Sequence, residues 1–90
     1  MDFTIDLSSV QNKSKLHDLL SETFNFPKYY GRNLDALYDL ITEPHEFWNV
    51  TFENTASAEE FFDEVFLEAL KQTFADAEIE SENLKVVWND

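Results

Sequence analysis

Three short strand-like runs, far apart and separated by helical periodicity, constrain this chain more than any other feature. Phe3-Thr4-Ile5-Asp6-Leu7 and Trp48-Asn49-Val50-Thr51-Phe52 alternate apolar and polar residues, and Leu84-Lys85-Val86-Val87-Trp88 is a third such run. Between the first two lie Leu16, Leu19, Leu20 and Phe24, then Leu34, Leu37, Leu40 and Ile41, each set spaced as one face of a helix. Strands joined through helices call for right-handed crossovers and a parallel sheet. The expected class is α/β: a small three-stranded parallel sheet packed with three or four helices. With no linker, repeat or low-complexity segment, residues 1–90 read as a single domain.

Local chemistry sets the expected element ends. Ser14 is read as the N-cap of a first helix running to about Phe24, and Pro27 closes that region. Asn33 caps the second helix, and Pro44 follows its end. Ser57-Ala-Glu-Glu60 matches a capping box and opens a long helical stretch to about Ala77. Its apolar face is read as Phe62, Phe66, Ala69, Leu70, Thr73 and Phe74, widened by Phe61 and Val65. Unbroken, that helix would be about 30 Å long. Such a length is large for a small domain, so a kink or break is expected near Asp63 to Leu67. Trp48, Trp88 and most phenylalanines belong to the core.

Nineteen acidic and six basic side chains give a formal charge of −13. That field repels phosphate backbones and anionic lipid, so direct binding of nucleic acid or membrane is not expected. Basic proteins are drawn in, fastest at low salt. The chain contains no cysteine, which excludes a disulfide framework and thiolate metal sites. No basic, apolar leader and no spanning segment is visible, so a cytoplasmic location is the default. No nucleophile stands near a histidine at an informative spacing. His17 reads as a partly buried structural residue and His45 as a loop residue. Neither an enzyme, a cofactor nor a metal site is expected.

The stretch from Pro27 to Thr42 carries the functional signal. It holds the only glycine, Gly31, which is expected to supply a backbone conformation that other residues resist. Of Tyr29 and Tyr30, one should pack and one should be exposed, and any exposed aromatic patch is expected at Tyr29, Tyr30 and Tyr38. Asp35 and Asp39 lie on one side of the helix. Asp35 complements the helix dipole in the first turn. Asp39 has no such explanation and no Lys or Arg at 36, 42 or 43 to relieve it. A solvated face would tolerate the pair. A surface mimicking RNA phosphates would require it.

The run Pro27-Lys28-Tyr29-Tyr30-Gly31-Arg32-Asn33-Leu34-Asp35-Ala36-Leu37-Tyr38-Asp39 resembles the signature of the barstar family, the intracellular inhibitors of barnase-type ribonucleases. The likeness extends more weakly over nearly the whole chain, and the order of elements agrees. The resemblance implies a stoichiometric inhibitor that places its loop and second helix in the ribonuclease active site. Asp39 would replace a substrate phosphate, Asp35 would join the same basic cluster, and Tyr29 would pack on the catalytic histidine. Gly31, Asn33, Leu34, Tyr38 and Thr42 would surround these contacts, with Asp76 and Glu80 as outer acids. The implied partner is a basic microbial ribonuclease or a related toxin protein, met by a free monomer. Departures bear on the partner: Tyr38 stands where barstar has a tryptophan, Pro44 replaces another, and Asp76 is shorter than the family's glutamate. Lys28 and Arg32 add positive charge beside the loop. The rival reading is a barstar-like immunity or binding module for a different protein or nuclease toxin.

Overall fold

The computed structural model describes residues 1–43 and 46–90, so Pro44 and His45, read above as a helix breaker and a loop residue, lie outside the described residues. Three strands, β1 (Asp2–Asp6), β2 (Trp48–Glu53) and β3 (Leu84–Trp88), form one parallel sheet in that spatial order. Helices α1 (Lys13–Phe24) and α2 (Leu34–Ile41) connect β1 to β2. Helices α3 (Thr55–Ala58) and α4 (Glu64–Glu80) connect β2 to β3. This is the α/β class expected from the spacing of the strand-like runs.

The register explains why the strands alternate. Phe3, Val50 and Val86 lie side by side, as do Ile5, Phe52 and Trp88. These rows face the helices, and Ile5, Val50 and Phe52 are fully buried there. The intervening row, Thr4, Thr51 and Val87, points the other way, and exposed Thr4 and Val87 leave that face to solvent. Parallel sheets covered on both faces read as continuous apolar runs. This one is covered on one face and keeps the period of two.

Aromatic rings fill both ends of the covered face. Phe24 stacks on Trp48 at 5.0 Å, with Phe3 edge-on to both. At the other end Phe52 stacks on Trp88 at 3.9 Å, and Phe74 meets Phe52 edge-on. Both tryptophans are half-buried and pack against the core rather than lying inside it, as the outer members of these stacks. Leu16, Leu20, Leu37, Ile41 and Leu70 complete it, and α2 packs against α4.

Three local expectations need correction. The N-cap of α1 is Asn12, not Ser14: its Oδ1 accepts the Lys15 N–H at 2.8 Å. Asparagine and serine cap about equally well, and Ser14 instead offers its carbonyl to another segment. Ser57 does not cap the long helix, because it lies inside the single turn of α3. The chain then breaks over 59–63, just ahead of the expected place, with bonds such as Glu60 N–H to the Ser57 carbonyl tightening the turn. Asp63 restarts it, its Oδ1 accepting the Phe66 N–H at 2.7 Å, and α4 continues past Ala77 to Glu80. That new start rotates the apolar face. Leu67 and Ala77 are buried, whereas Phe61 is 42% and Val65 81% exposed, so neither widens the core.

The free edge of β3 is partly closed from above. The Val86 N–H donates to Glu78 Oε2 of α4 at 3.0 Å rather than to a strand. Glu78→Ala leaves that donor to water, and a loss of about 1 kcal/mol is expected in urea denaturation. An unchanged midpoint would show that the bond contributes nothing net.

Candidate functional site

The loop between α1 and α2 is held from below by one buried contact. Tyr30 turns inward, 7% exposed, and its hydroxyl lies 2.6 Å from His17 Nδ1 on α1. The Tyr30 N–H donates to the Pro27 carbonyl, and the Phe26 ring lies against it at 4.8 Å. Burial raises the Tyr30 phenol to about 12. Burial, helped by the Arg32 charge, lowers His17 below its usual value despite an opposing effect from Asp18. The pair is therefore a neutral phenol facing a neutral imidazole. His17 has the structural role expected of it. The patch at Tyr29, Tyr30 and Tyr38 is corrected: Tyr30 is interior, Tyr38 is half-buried, and Tyr29 alone of the three stands out, 79% exposed.

Gly31 is needed for a different reason from the one expected. Its φ is not positive. A Cβ there would lie 3.2 Å from the Ala36 Cβ and 3.3 Å from Asn33 Nδ2, so space at the start of α2 is what favours glycine. The left-handed residue is its neighbour, Arg32, at φ 56°. A side chain in that region persists when its surroundings hold it. Arg32 pairs with Asp18 at 2.8 Å and donates to the carbonyl of Ser14 at 2.8 Å and its Oγ at 3.2 Å. Its charge, expected beside the loop, is thus paired with α1 through Asp18.

Asn33 caps α2 as expected. Its Oδ1 accepts the Ala36 N–H at 2.8 Å and its Nδ2 donates to the Gly31 carbonyl at 3.2 Å, which commits both ends of the amide. Leu34 is half-buried and borders a hollow of about 410 Å3 with His17, Arg32 and Phe66. Thr42 closes the helix, its Oγ donating to the Tyr38 carbonyl at 2.7 Å. Asp35 sits in the first turn, and Asp35 and Asp39 are both exposed.

A second hollow, about 350 Å3, brings Tyr29, Gly31 and Asp39 together with Tyr30, Ala36, Leu40 and Glu43. Glu43 was missed by the sequence reading. The spacing that pairs Asp35 with Asp39 continues one more step to position 43, and that repetition was the available signal. Asp76 and Glu80 are exposed near the end of α4 and border neither hollow. Asp76 Oδ1 accepts from Gln72 Nε2 at 2.8 Å. Among the described residues, no group of three or more metal-ligating side chains is placed to hold an ion. Among the described residues, no helix is long and apolar enough to cross a membrane.

Comparison with known proteins bears on the family of the chain. A family model described as "Barstar (barnase inhibitor)" matches residues 1–89. A Bacillus subtilis (strain 168) protein named "Putative ribonuclease inhibitor YrdF" is 53% identical over 38 residues, which cover 42% of this chain and 42% of that relative. The match thus spans less than half the length of the curated relative.

The burial of His17 beside Arg32 has a pH consequence. With the folded pKa of His17 depressed, the unfolded chain takes up the proton first as pH falls through about 6.5. Native stability therefore falls below that pH and stops falling only beneath the folded pKa. In urea titrations between about pH 7.5 and 5.5, His17→Asn is expected to show a flatter dependence than the parent chain. Parallel profiles would remove His17 as the cause.

Proposed function

This chain belongs to the barstar family, and on that premise we propose that it is a stoichiometric inhibitor of a barnase-type ribonuclease. The family's members are inhibitors rather than enzymes. The observation that carries the proposal is the pairing of an exposed Tyr29 with exposed carboxylates on α2, on a loop clamped from beneath. A surface intended only for solvation has no need of a fixed backbone under it.

The inhibitor works by occlusion and phosphate mimicry. Asp39 enters the site that holds a substrate phosphate and meets the enzyme's basic groups through charge-assisted hydrogen bonds. Asp35 adds to the same field, and Tyr29 covers the catalytic centre with its ring. Gly31 and Asn33 act by placing these side chains: the glycine allows the close approach and the amide locks the helix start. Leu34, Tyr38 and Thr42 form the surround. Asp76 and Glu80 extend the negative field at the margin, Asp76 with its carboxylate directed to Gln72. No cofactor takes part. The free inhibitor is a monomer acting in the cytoplasm, where it protects the cell from the ribonuclease. The net charge of −13 draws a basic enzyme in before contact.

Titrating a barnase-type ribonuclease with the purified protein should give a sharp equimolar end point. Asp39→Ala should weaken binding by about 2–5 kcal/mol, the range for buried charge pairs, whose measured examples include barnase–barstar itself. A loss under about 0.5 kcal/mol would remove Asp39 from the centre of the interface. Salt separates steering from contact. Raising ionic strength should slow association far more than it speeds dissociation, as followed by stopped-flow fluorescence. An association rate indifferent to salt would rule out long-range steering.

A further inference from the structure

We propose that the hollow of about 410 Å3 where α1, α2 and α4 begin is a receptor for a carboxylate side chain of the partner, held by Lys13, Arg32 and the Nε2–H of His17. The inference rests on the reading that the loop and α2 form the partner face, because Asn33 and Leu34 border the hollow at the edge of that loop. In a chain with nineteen acidic side chains, this lining contains none. Other hollows on the surface are bordered by carboxylates such as Glu59, Glu43, Asp18 and Asp39. Two of the six basic residues of the chain are gathered here instead.

The polar side chains of the lining have donors to spare and no uncommitted acceptor. Among the described residues the Tyr30 hydroxyl has no acceptor other than His17 Nδ1, so it donates there and leaves the proton of the neutral imidazole on Nε2. That N–H has no partner among the described residues, although His17 is only 5% exposed. Nor is it sealed in the interior, as the orphan Thr55 Oγ1 is; the hollow is the opening that His17 lines. Ser14 Oγ accepts from Arg32 and keeps its own proton to donate. Arg32 is tied to Asp18 and Ser14, but a guanidinium has more donors than these contacts use. Lys13 lies 4.7 Å over the Phe66 ring and makes no salt bridge among the described residues. Asn33 has both ends of its amide bound elsewhere. Donors of this kind, two of them charged, select an anion.

Charge and shape narrow its identity. Asp18 offsets Arg32 and leaves Lys13 as the uncompensated cation, so a singly charged carboxylate matches the site better than a phosphate dianion. A small anion in solution has to approach against a net charge of −13. One mounted on a basic enzyme is carried in by the attraction of the rest. Half-buried Leu34 and Phe66 supply apolar walls for its methylene stem.

The test compares two neutralising variants in binding to a barnase-type ribonuclease: Lys13→Gln at the hollow, and Lys85→Gln on the uncovered side of the sheet. Both lysines are exposed, so both variants keep the fold. Each makes the chain one unit more negative, which favours the long-range attraction of a basic enzyme in both cases. Lys85→Gln should therefore bind as tightly as the parent or slightly tighter. Lys13→Gln should bind about fivefold more weakly, through faster dissociation. In parallel, the parent and Lys13→Gln are titrated by NMR with N-acetyl-glutamate α-amide, its glutamine counterpart and inorganic phosphate. Shifts at Lys13, Ser14 and the His17 Nε2–H are expected with the glutamate probe alone, and only in the parent. Where the parent binds the ribonuclease, the variants decide: a Lys13→Gln that matches Lys85→Gln overturns the receptor and leaves the inhibitor standing. Where the parent does not bind, the probes decide. Glutamate-selective shifts then support the receptor and overturn the proposed target, while shifts with phosphate only, or none, overturn both.

Discussion

Tyr30 and His17 meet across 2.6 Å of buried space, and that contact ties the loop ahead of the acidic helix to α1. It joins the middle of α1 to the loop before α2, segments that local sequence would leave independent. Both groups stay uncharged because each is desolvated, which raises the phenol to about 12 and lowers the imidazole. The loop is thus clamped without placing an unpaired charge in the interior, a far costlier arrangement. With Tyr30 turned in, Tyr29 is turned out. Arg32 adds a second tie, from the loop to α1 through Asp18 and Ser14.

The rest of the fold supplies a platform for that clamp. Helices cover one face of the parallel sheet, and stacked aromatics at its two ends fix the positions of the connecting segments. α2 is short, and its Leu37, Leu40 and Ile41 are buried, so its remaining side faces outward with Asp35 and Asp39. A short amphipathic helix has little stability alone and takes its orientation from packing. Here that packing is against α4, which starts only after a break in the chain and a new cap at Asp63.

Charge has two roles at different ranges. The overall excess of acid acts over distances of about a Debye length, ~10 Å at moderate salt, and needs no particular arrangement. In the proposed function, recognition at contact depends on arrangement: exposed carboxylates on one side of α2, next to an exposed Tyr29 whose neighbour Tyr30 is buried. Had Arg32 pointed outward, it would have cancelled part of that local field. Its left-handed backbone and its bonds to α1 direct it elsewhere.

Much of this was legible in the residues themselves. The strands, the Asn33 cap and the apolar stripes of α1 and α2 follow from periodicity and capping, which are local properties of a chain covered on one face. Family membership was legible too, because the run from Pro27 to Asp39 is dense and specific. Local reasoning failed where competing caps were nearly equal, as for Asn12 over Ser14, and where the capping box at Ser57 hid the start of α4 at Asp63. It also assigned the wrong cause to Gly31, since crowding against Ala36 exists only once the loop has folded back on the helix. Which tyrosine is buried, where the charge of Arg32 goes, and the meeting of Tyr29, Asp39 and Glu43 in one hollow were decided by tertiary structure alone. Each depends on contacts between residues remote along the chain, or on the direction a loop takes over a helix. Neither composition nor spacing encodes those distances; they are set by packing the helices onto a common sheet.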